Sequence, residues 1–223
     1  MRIYTALFIN MFCFIAGGAE AAPAVRYPAH WWTPVPREDA ASWEVLPQDA
    51  GPGEVILSKR NELGNLSNYG ATPFDYRGKR YASIEAFWQM MKYPEGRDDP
   101  RAIFPGLRWE HTRDEVAAMT GSEAKRAGDK ANANMRRMEI NWVTFEAERI
   151  AYKHEGAPRH YEIILAVSRE KVRQNANVAD ILKQTGDLVL RPDHQQDTDA
   201  TPSYRYYEIY MKIRDEIRKQ EKQ

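Results

Sequence analysis

The hydrophobic positions of the chain follow a helical period over most of its length after Ala82. Near the carboxyl end, Tyr206, Ile209 and Ile213 recur at intervals of three and four residues, which places them on one face of a helix. Similar patterns predict helices over six segments: 83–93, 114–119, 122–135, 141–154, 158–184 with an interruption, and 203–221.

Strand signals are concentrated before Ala82. Residues 55–57 (Val-Ile-Leu) form a short apolar run that indicates a strand. Residues 74–76 and 80–81 flank Arg77-Gly78-Lys79, a composition typical of a β-hairpin with Gly at its turn. Helices with a small early hairpin or sheet predict an α+β fold, mainly α-helical, in one domain.

The first residues have the three parts of a secretory signal peptide. Arg2 gives a basic start, residues 3–16 are mostly apolar, and Ala19-Glu20-Ala21 ends in a small-x-small pattern. The apolar run is shorter than the roughly 20 residues that a membrane-spanning helix needs. The pattern predicts a signal peptide over 1–21 and a periplasmic or secreted protein. The alternative is a protein anchored in the membrane by an uncleaved N-terminus.

The single cysteine, Cys13, lies inside the predicted signal peptide. An intramolecular disulfide is therefore excluded, and cleavage would leave a protein without thiol chemistry. The five histidines show no metal-ligand spacing, and the sequence contains no P-loop, GxGxxG or GxSxG motif. We expect neither a metal nor a cofactor.

Residues 22–53 form an arm rich in Pro and Trp, which precedes a domain over 54–223. Proline at this density interrupts helices and strands, so we expect the arm to be extended. Trp31, Trp32 and Trp43 have two interpretations. They pack the arm onto the domain, which is the favoured interpretation, or they form a stacking platform for a sugar or a base.

The charge balance limits the class of partner. The chain has 32 Lys and Arg residues against 32 Asp and Glu residues, so its formal net charge is zero. We therefore expect no broad nucleic-acid surface and no stable membrane association after cleavage. A local basic pocket is compatible with this balance. Nothing in the sequence indicates an oligomeric state.

The segment 83–93 carries the most informative polar pattern. Ser83 is a good N-cap, and the helix body is apolar except for Glu85, Gln89 and Lys92. These three side chains lie at i, i+4 and i+7 and share one narrow face. A helix that is apolar nearly all round is normally buried, so its polar stripe faces a polar cavity or solvent. Periodicity alone favours the solvated face.

Two loops supply further candidates. Residues 61–69 are rich in short amide and hydroxyl side chains, which bind sugar or phosphate oxygens but are also common in turns. Residues 191–199 contain Asp193, Asp197 and Asp199, which supply a catalytic carboxylate or form a solvated acidic loop.

At these residues the sequence resembles the NADAR (YbiA-like) superfamily. The family pattern is Leu-Ser-Asn-aromatic, a hairpin with Gly, Ser-x-Glu-aromatic-aromatic-Gln-x-x-Lys, and several later short motifs. Matching segments occur in order over about residues 57–218: Leu66-Ser67-Asn68-Tyr69, Gly78, Ser83 to Lys92, Glu123-Ala124-Lys125 to Gly128, Asn141-Trp142, Thr185-Gly186-Asp187 with Leu190, and Tyr210-Met211 to Arg214.

The resemblance implies a YbiA-like fold and an N-glycosidase that acts on a ribosylated or ADP-ribosylated substrate, of the nucleobase-adduct or ribosylamino-pyrimidine type. A small-molecule nucleotide or ADP-ribosylated molecule is then the expected partner. The implied catalytic residues are Glu85 as stabilising or general-base carboxylate, Lys92 as phosphate clamp or Schiff-base amine, and Asp197 as the late aspartate. The implied substrate-binding residues are Asn65, Ser67, Asn68, Trp88, Gln89, Trp142 and Asp187.

The chain departs from the family pattern at three places, so we expect its recognition of the leaving group to differ. Ala200 and Thr201 replace an aromatic-Trp-Gly element, Tyr204 and Tyr207 replace Asn and Gly, and Gly128-Asp129 replaces a common Gly-Arg pair.

Two other functions stay open. One is a non-catalytic ADP-ribose- or nucleotide-binding module of an exported protein, which needs neither Glu85 nor Lys92. The other is an exported structural or interaction protein that keeps only the fold.

Overall fold

A computed structural model describes residues 27–153, 157–197 and 199–222. The predicted signal peptide over 1–21 and the first residues of the arm lie outside these ranges. Within them, no helix combines the length and the apolar character that crossing a membrane requires.

The described residues form a mixed fold of six α-helices and six short strands. The helices are α1 Ile84–Met90, α2 Arg113–Ala117, α3 Gly121–Arg137, α4 Pro158–Gln174, α5 Ala176–Gln184 and α6 Tyr206–Gln220. The strands are β1 Glu54–Ile56, β2 Phe74–Tyr76, β3 Lys79–Tyr81, β4 Trp142–Phe145, β5 Glu148–Ala151 and β6 Val189–Arg191. The predicted interruption of 158–184 falls at Asn175, between α4 and α5.

The helix predicted over 141–154 is wrong, because this segment is an antiparallel hairpin of β4 and β5. Its first strand reads Trp-Val-Thr-Phe, four aromatic or β-branched residues that favour strands. Glu146 and Ala147 have φ values of 50° and 62°, as a two-residue hairpin turn requires. In the sequence pattern, the charged residues around this turn resemble those on the polar face of a helix.

The parallel pairing of β1 with β6 joins the beginning of the domain to its end. Glu54 pairs with Val189 and Ile56 with Arg191. Strand β6 was not predicted, because its partner lies more than a hundred residues away in sequence. The pairing brings the acidic loop after β6 next to the N-terminal arm, where the amide of Val45 donates to the carbonyl of Asp193 at 2.9 Å.

Helix α1 lies at the centre of the fold. All of its seven residues are buried, and it packs against α2, α3 and α4. The Ser83 hydroxyl caps its N-terminus by accepting a hydrogen bond from the amide of Ala86 at 3.0 Å. The apolar sides of α1 are therefore covered by other helices, and its polar stripe faces a cavity.

Candidate active site

A cavity of about 1170 Å³ opens between α1, α3, the loop before β2 and the segment after β6. This exceeds the 300–1,000 Å³ or so of typical small-molecule pockets, so it has room for a nucleotide. Seven of the predicted site residues line it: Ser67, Asn68, Glu85, Trp88, Gln89, Lys92 and Asp197.

The polar stripe of α1 forms one wall of this cavity. Glu85, Gln89 and Lys92 are only 6%, 2% and 5% exposed. The stripe is therefore not a solvated face, which periodicity alone had favoured. Because side chains four residues apart stack on a helix, Gln89 Nε2 reaches Glu85 Oε1 and donates a hydrogen bond of 2.7 Å.

Burial determines the protonation of Glu85. Loss of hydration raises the pKa of its carboxyl group, and this effect outweighs the opposing influences of the Gln89 hydrogen bond and the Lys92 charge. A raised pKa makes the ionised carboxylate a stronger base, which suits it to accepting a proton.

Burial also shifts the pKa of Lys92, but in the opposite direction. Burial lowers the pKa of Lys92 to about 8, although the nearby carboxylate of Glu85 favours the ammonium form. Its Nζ is 5.0 Å from the centre of the Trp88 ring, close enough for a cation–π contact. The site thus holds an acid and a base whose pKa values are shifted toward each other.

Two arginines hold the segment that follows α1, a role that no sequence pattern indicated. Arg101 is completely buried, pairs with Asp99, and donates to the carbonyls of Met91 and Lys92 at 3.0 Å and 3.2 Å. Arg113 donates to the carbonyl of Tyr93 at 3.0 Å. These bonds satisfy backbone carbonyls just beyond the end of α1, and they fix the backbone that carries Lys92.

Two buried oxygens near Glu85 have no hydrogen-bond partner within the described ranges. They are Asn68 Oδ1 and Gln89 Oε1, and both residues line the cavity. A buried polar atom without a partner costs about 1–3 kcal/mol. Hydroxyl or amino groups of a ligand would satisfy both oxygens.

Gly128 in α3 makes room for the Gln89 side chain. A Cβ at this position would lie only 1.6 Å from Gln89 Oε1 and 2.2 Å from its Cδ. No side chain fits there unless the Gln89 amide moves away. The glycine of the predicted Ala-x-x-x-Gly motif therefore has a structural role at the site.

The loop before β2 is tied to both α1 and α4. The amide of Glu85 donates to the carbonyl of Asn68 at 2.9 Å. From the other side, the buried Lys171 Nζ donates to the carbonyl of Ser67 at 2.8 Å. These two hydrogen bonds, both accepted by carbonyls of the loop, hold it against the catalytic candidates.

A second cluster of ionisable groups lines another part of the cavity, around the buried carboxylate of Asp193. This carboxylate contacts Lys59 Nζ, His194 Nδ1 at 3.0 Å and the Tyr206 hydroxyl at 3.2 Å. Hydrogen bonds from His194 and Lys59, together with the charge of Lys59, hold the pKa of Asp193 below its usual value despite its burial. Sequence patterns singled out Asp193, but not Lys59.

A cluster of aromatic side chains packs against Trp88. The His160 ring lies 4.5 Å from the Trp88 ring, and Tyr152 and Tyr204 pack against both. Tyr152 and Tyr204 also line the cavity. Tyr204 occupies one of the positions at which the chain departs from the NADAR pattern, so this departure adds an aromatic wall.

Three predicted substrate contacts, Asn65, Trp142 and Asp187, do not line the cavity. Trp142 lies in β4 between the guanidinium groups of Arg101 and Arg149, 5.0 Å and 4.5 Å from its ring centre. Asp187 is exposed and pairs with Arg218 at 2.9 Å.

Asp197 lies on the cavity wall but is exposed. In the described ranges, no three His, Cys, Asp or Glu side chains come close enough to hold a metal ion.

No model of a known protein family matches the chain, and no curated protein matches it either. Among solved structures, the chain is similar to the NMR structure of the E. coli protein YbiA. The two share 15% sequence identity with a TM-score of 0.44, over 74% of this chain and 86% of YbiA.

Proposed function

We propose that the protein hydrolyses the N-glycosidic bond of a ribosylated or ADP-ribosylated substrate. The observation that carries this proposal is the pair Glu85 and Lys92, two buried ionisable side chains on one face of α1 in a nucleotide-sized cavity. Burying charged groups costs free energy, and such groups concentrate at functional sites. The ordered motifs that resemble the NADAR superfamily support the same reaction class.

The chemistry of the bond explains the role of Glu85. Cleavage passes through an oxocarbenium-like state in which positive charge develops at the anomeric carbon. In the proposed step, the Glu85 carboxylate stabilises this charge and accepts a proton from water. The water oxygen bonds to the anomeric carbon as the carbon–nitrogen bond breaks.

The departing nitrogen needs a proton from a second group. Asp197 and His194 both line the cavity, and the buried Asp193 orients the His194 ring through Nδ1. Either side chain is able to deliver the proton. The variants Asp197→Asn and His194→Gln distinguish the two candidates. Only replacement of the residue that acts as proton donor slows the cleavage of substrates with poor leaving groups.

Lys92 binds an anionic group of the substrate in this proposal. With a pKa of about 8, its amine is mainly an ammonium at neutral pH. The other role open to it is attack of the neutral amine on C1 of an opened ribose, with loss of water and formation of a Schiff base. Borohydride reduces and traps such an adduct, so trapping followed by mass spectrometry separates the two roles.

The purified chain is incubated with NAD, ADP-ribosyl-guanosine, ADP-ribosylated DNA and ribosylamino-pyrimidines, and released base or ribose is measured by chromatography and mass spectrometry. We expect cleavage of at least one substrate and a loss of about 100-fold or more in Glu85→Gln. Glu162→Gln, an exposed glutamate that does not line the cavity, is the matched control.

One observation favours a second function, a non-catalytic nucleotide-binding module. Ala200 and Thr201 line the cavity where the family pattern has an aromatic-Trp-Gly element. Loss of that element is compatible with binding that no longer leads to cleavage. In that case no substrate is cleaved, while nucleotide binds equally to the wild type and to Glu85→Gln.

Export is a further part of the proposal. The pattern over residues 1–21 supports a signal peptide, which directs the enzyme to the periplasm or to the medium. Mass spectrometry of the N-terminus of the protein recovered from each cell fraction tests both the location and the cleavage after Ala21.

A further inference from the structure

The three tryptophans of the arm lie in different environments. Trp31 is fully buried, and its indole N–H donates to Glu62 Oε1 at 2.6 Å. The indole N–H of Trp32 donates to the carbonyl of Glu54 at 2.9 Å. Packing of the arm explains these two side chains. Trp43 differs, because it is 55% exposed and lines the cavity.

The position of Trp43 is fixed by the residues on both sides of it. The amide of Gln195 donates to its carbonyl at 3.4 Å, and the amide of Val45 donates to the carbonyl of Asp193 at 2.9 Å. The carboxylate of Glu44 accepts two hydrogen bonds of 2.7 Å from the Arg60 guanidinium. The exposed indole is thus carried on a segment that the domain holds in place.

The surroundings of Trp43 combine aromatic rings with a cation. Lys59 Nζ is 5.9 Å from the centre of the Trp43 ring and 5.2 Å from that of Tyr69. This ammonium also pairs with the buried Asp193, which holds it beside both rings. An exposed aromatic face next to a hydrogen-bond donor is suited to a planar ring that carries acceptor atoms.

We propose that Trp43 is the stacking surface for a nucleobase, and therefore a specificity-determining residue that the N-terminal arm adds to the cavity. The inference deepens the proposed function, on which it rests for the choice of nucleotides as ligands. Asn68 and Gln89 offer the sugar acceptor oxygens that have no partner among the described residues, whereas Trp43 offers an apolar face. The cavity volume of about 1170 Å³ has room for both parts of a nucleotide.

Two ligands separate stacking of a base from binding of a sugar. Calorimetry measures the affinities of ADP-ribose, which has a base, and ribose 5-phosphate, which has none. We expect Trp43→Ala to weaken ADP-ribose about 10-fold, within the range for base–aromatic stacking, and to leave ribose 5-phosphate unchanged. Trp43→Phe should retain most of the affinity. Phe104→Ala removes another exposed aromatic side chain that does not line the cavity, and is the matched control.

Fluorescence provides a second readout, since a stacked base quenches indole emission. The quenching caused by ADP-ribose should be smaller in Trp43→Phe, which keeps Trp88 in the cavity wall, while the melting temperatures of the variants stay near that of the wild type.

Equal weakening of both ligands by Trp43→Ala, or no weakening of ADP-ribose, would overturn the inference. If a substrate is cleaved and Trp43→Ala binds ADP-ribose with unchanged affinity, this inference alone is overturned. Binding of ADP-ribose through Trp43 without any cleavage overturns only the proposed hydrolase. A wild type that binds neither ligand overturns both.

Discussion

The ammonium group of Lys171 donates a hydrogen bond of 2.8 Å to the carbonyl of Ser67, although its side chain is completely buried and has no ionic partner in the described ranges. Its Nζ also lies 5.5 Å from the centre of the Tyr210 ring. Burial lowers the pKa of Lys171 to about 7. A costly buried cation therefore holds the loop that carries Ser67 and Asn68 into the cavity.

Replacing Lys171 by Met should remove both a pH dependence and a loop contact. The unfolded lysine titrates near 10.4 and the folded one near 7, so the unfolded state binds more protons between these values. The wild type should therefore gain about 1 kcal/mol of unfolding free energy per pH unit, relative to Lys171→Met, from pH 7.5 to 9.5. Urea unfolding at several pH values measures this difference.

The same variant should bind nucleotide about threefold to tenfold more weakly, because the Ser67 carbonyl loses its donor and the loop loosens. Lys219→Met, at an exposed lysine of α6, is the matched control for both measurements. Parallel stability curves for wild type and Lys171→Met would show that Lys171 is not buried as a low-pKa amine.

Gly128→Ala should lower the activity of the protein but change its stability little. Alanine favours the helix by about 1 kcal/mol, but its Cβ would meet Gln89 Oε1 at 1.6 Å. Because the flexible amide is able to move, we expect the unfolding free energy to stay within about 1 kcal/mol of the wild type. Activity should fall at least about 10-fold, since Glu85 loses its 2.7 Å hydrogen bond.

That hydrogen bond lowers the pKa of Glu85, so its loss should also move the acid limb of the pH–rate profile to higher pH. Gly96→Ala is the control, because a Cβ at Gly96 meets nothing within 4 Å. If Gly128→Ala keeps the wild-type rate and profile, then Gln89 does not act on Glu85.

Helix α1 shows how much of the site was predictable from the sequence. Its N-cap, its apolar body and the shared face of Glu85, Gln89 and Lys92 are local properties, and the structure has all three. Whether that face meets solvent or a cavity depends on α3 and on the loop after β6, so local periodicity did not decide it.

Trp142 and Arg101 show what local patterns miss. The resemblance placed Trp142 at the substrate, yet Trp142 does not line the cavity and its ring contacts Arg101 instead. Its strand belongs to a hairpin that periodicity predicted as a helix. Arg101 lies in an irregular segment and has no periodic neighbours, so nothing local indicated its burial at the end of α1. The pairing of β1 with β6 is equally non-local, and it assembles the Asp193 cluster.

The protonation of Lys92 should govern the binding of anionic ligands. Its pKa of about 8 predicts that the affinity for ADP-ribose falls as pH rises from 7 to 9, because the ammonium is lost. Lys92→Arg keeps its charge over this range and should remove the decline. Adenosine, which has no phosphate, is the control ligand. A rate of cleavage that instead rises through pH 8, together with a borohydride-trapped adduct, would identify Lys92 as a nucleophile.

His160 should make the fold sensitive to acid. Both ring nitrogens are buried without a hydrogen-bond partner in the described ranges, and burial lowers the pKa of His160 to about 4. Since the unfolded ring titrates near 6.5, the unfolded state binds more protons between pH 6.5 and 4, and stability is lost as pH falls. At pH 5 this loss amounts to about 2 kcal/mol.

His160→Phe keeps an aromatic ring against Trp88 and removes the titratable group. We expect its unfolding free energy to depend less on pH than that of the wild type, with a relative gain of about 2 kcal/mol on going from pH 7 to pH 5. Urea unfolding at both pH values measures the difference. His111→Phe, at a half-buried histidine, is the control. An identical pH dependence in the wild type and His160→Phe would contradict the burial of a neutral imidazole behind Trp88.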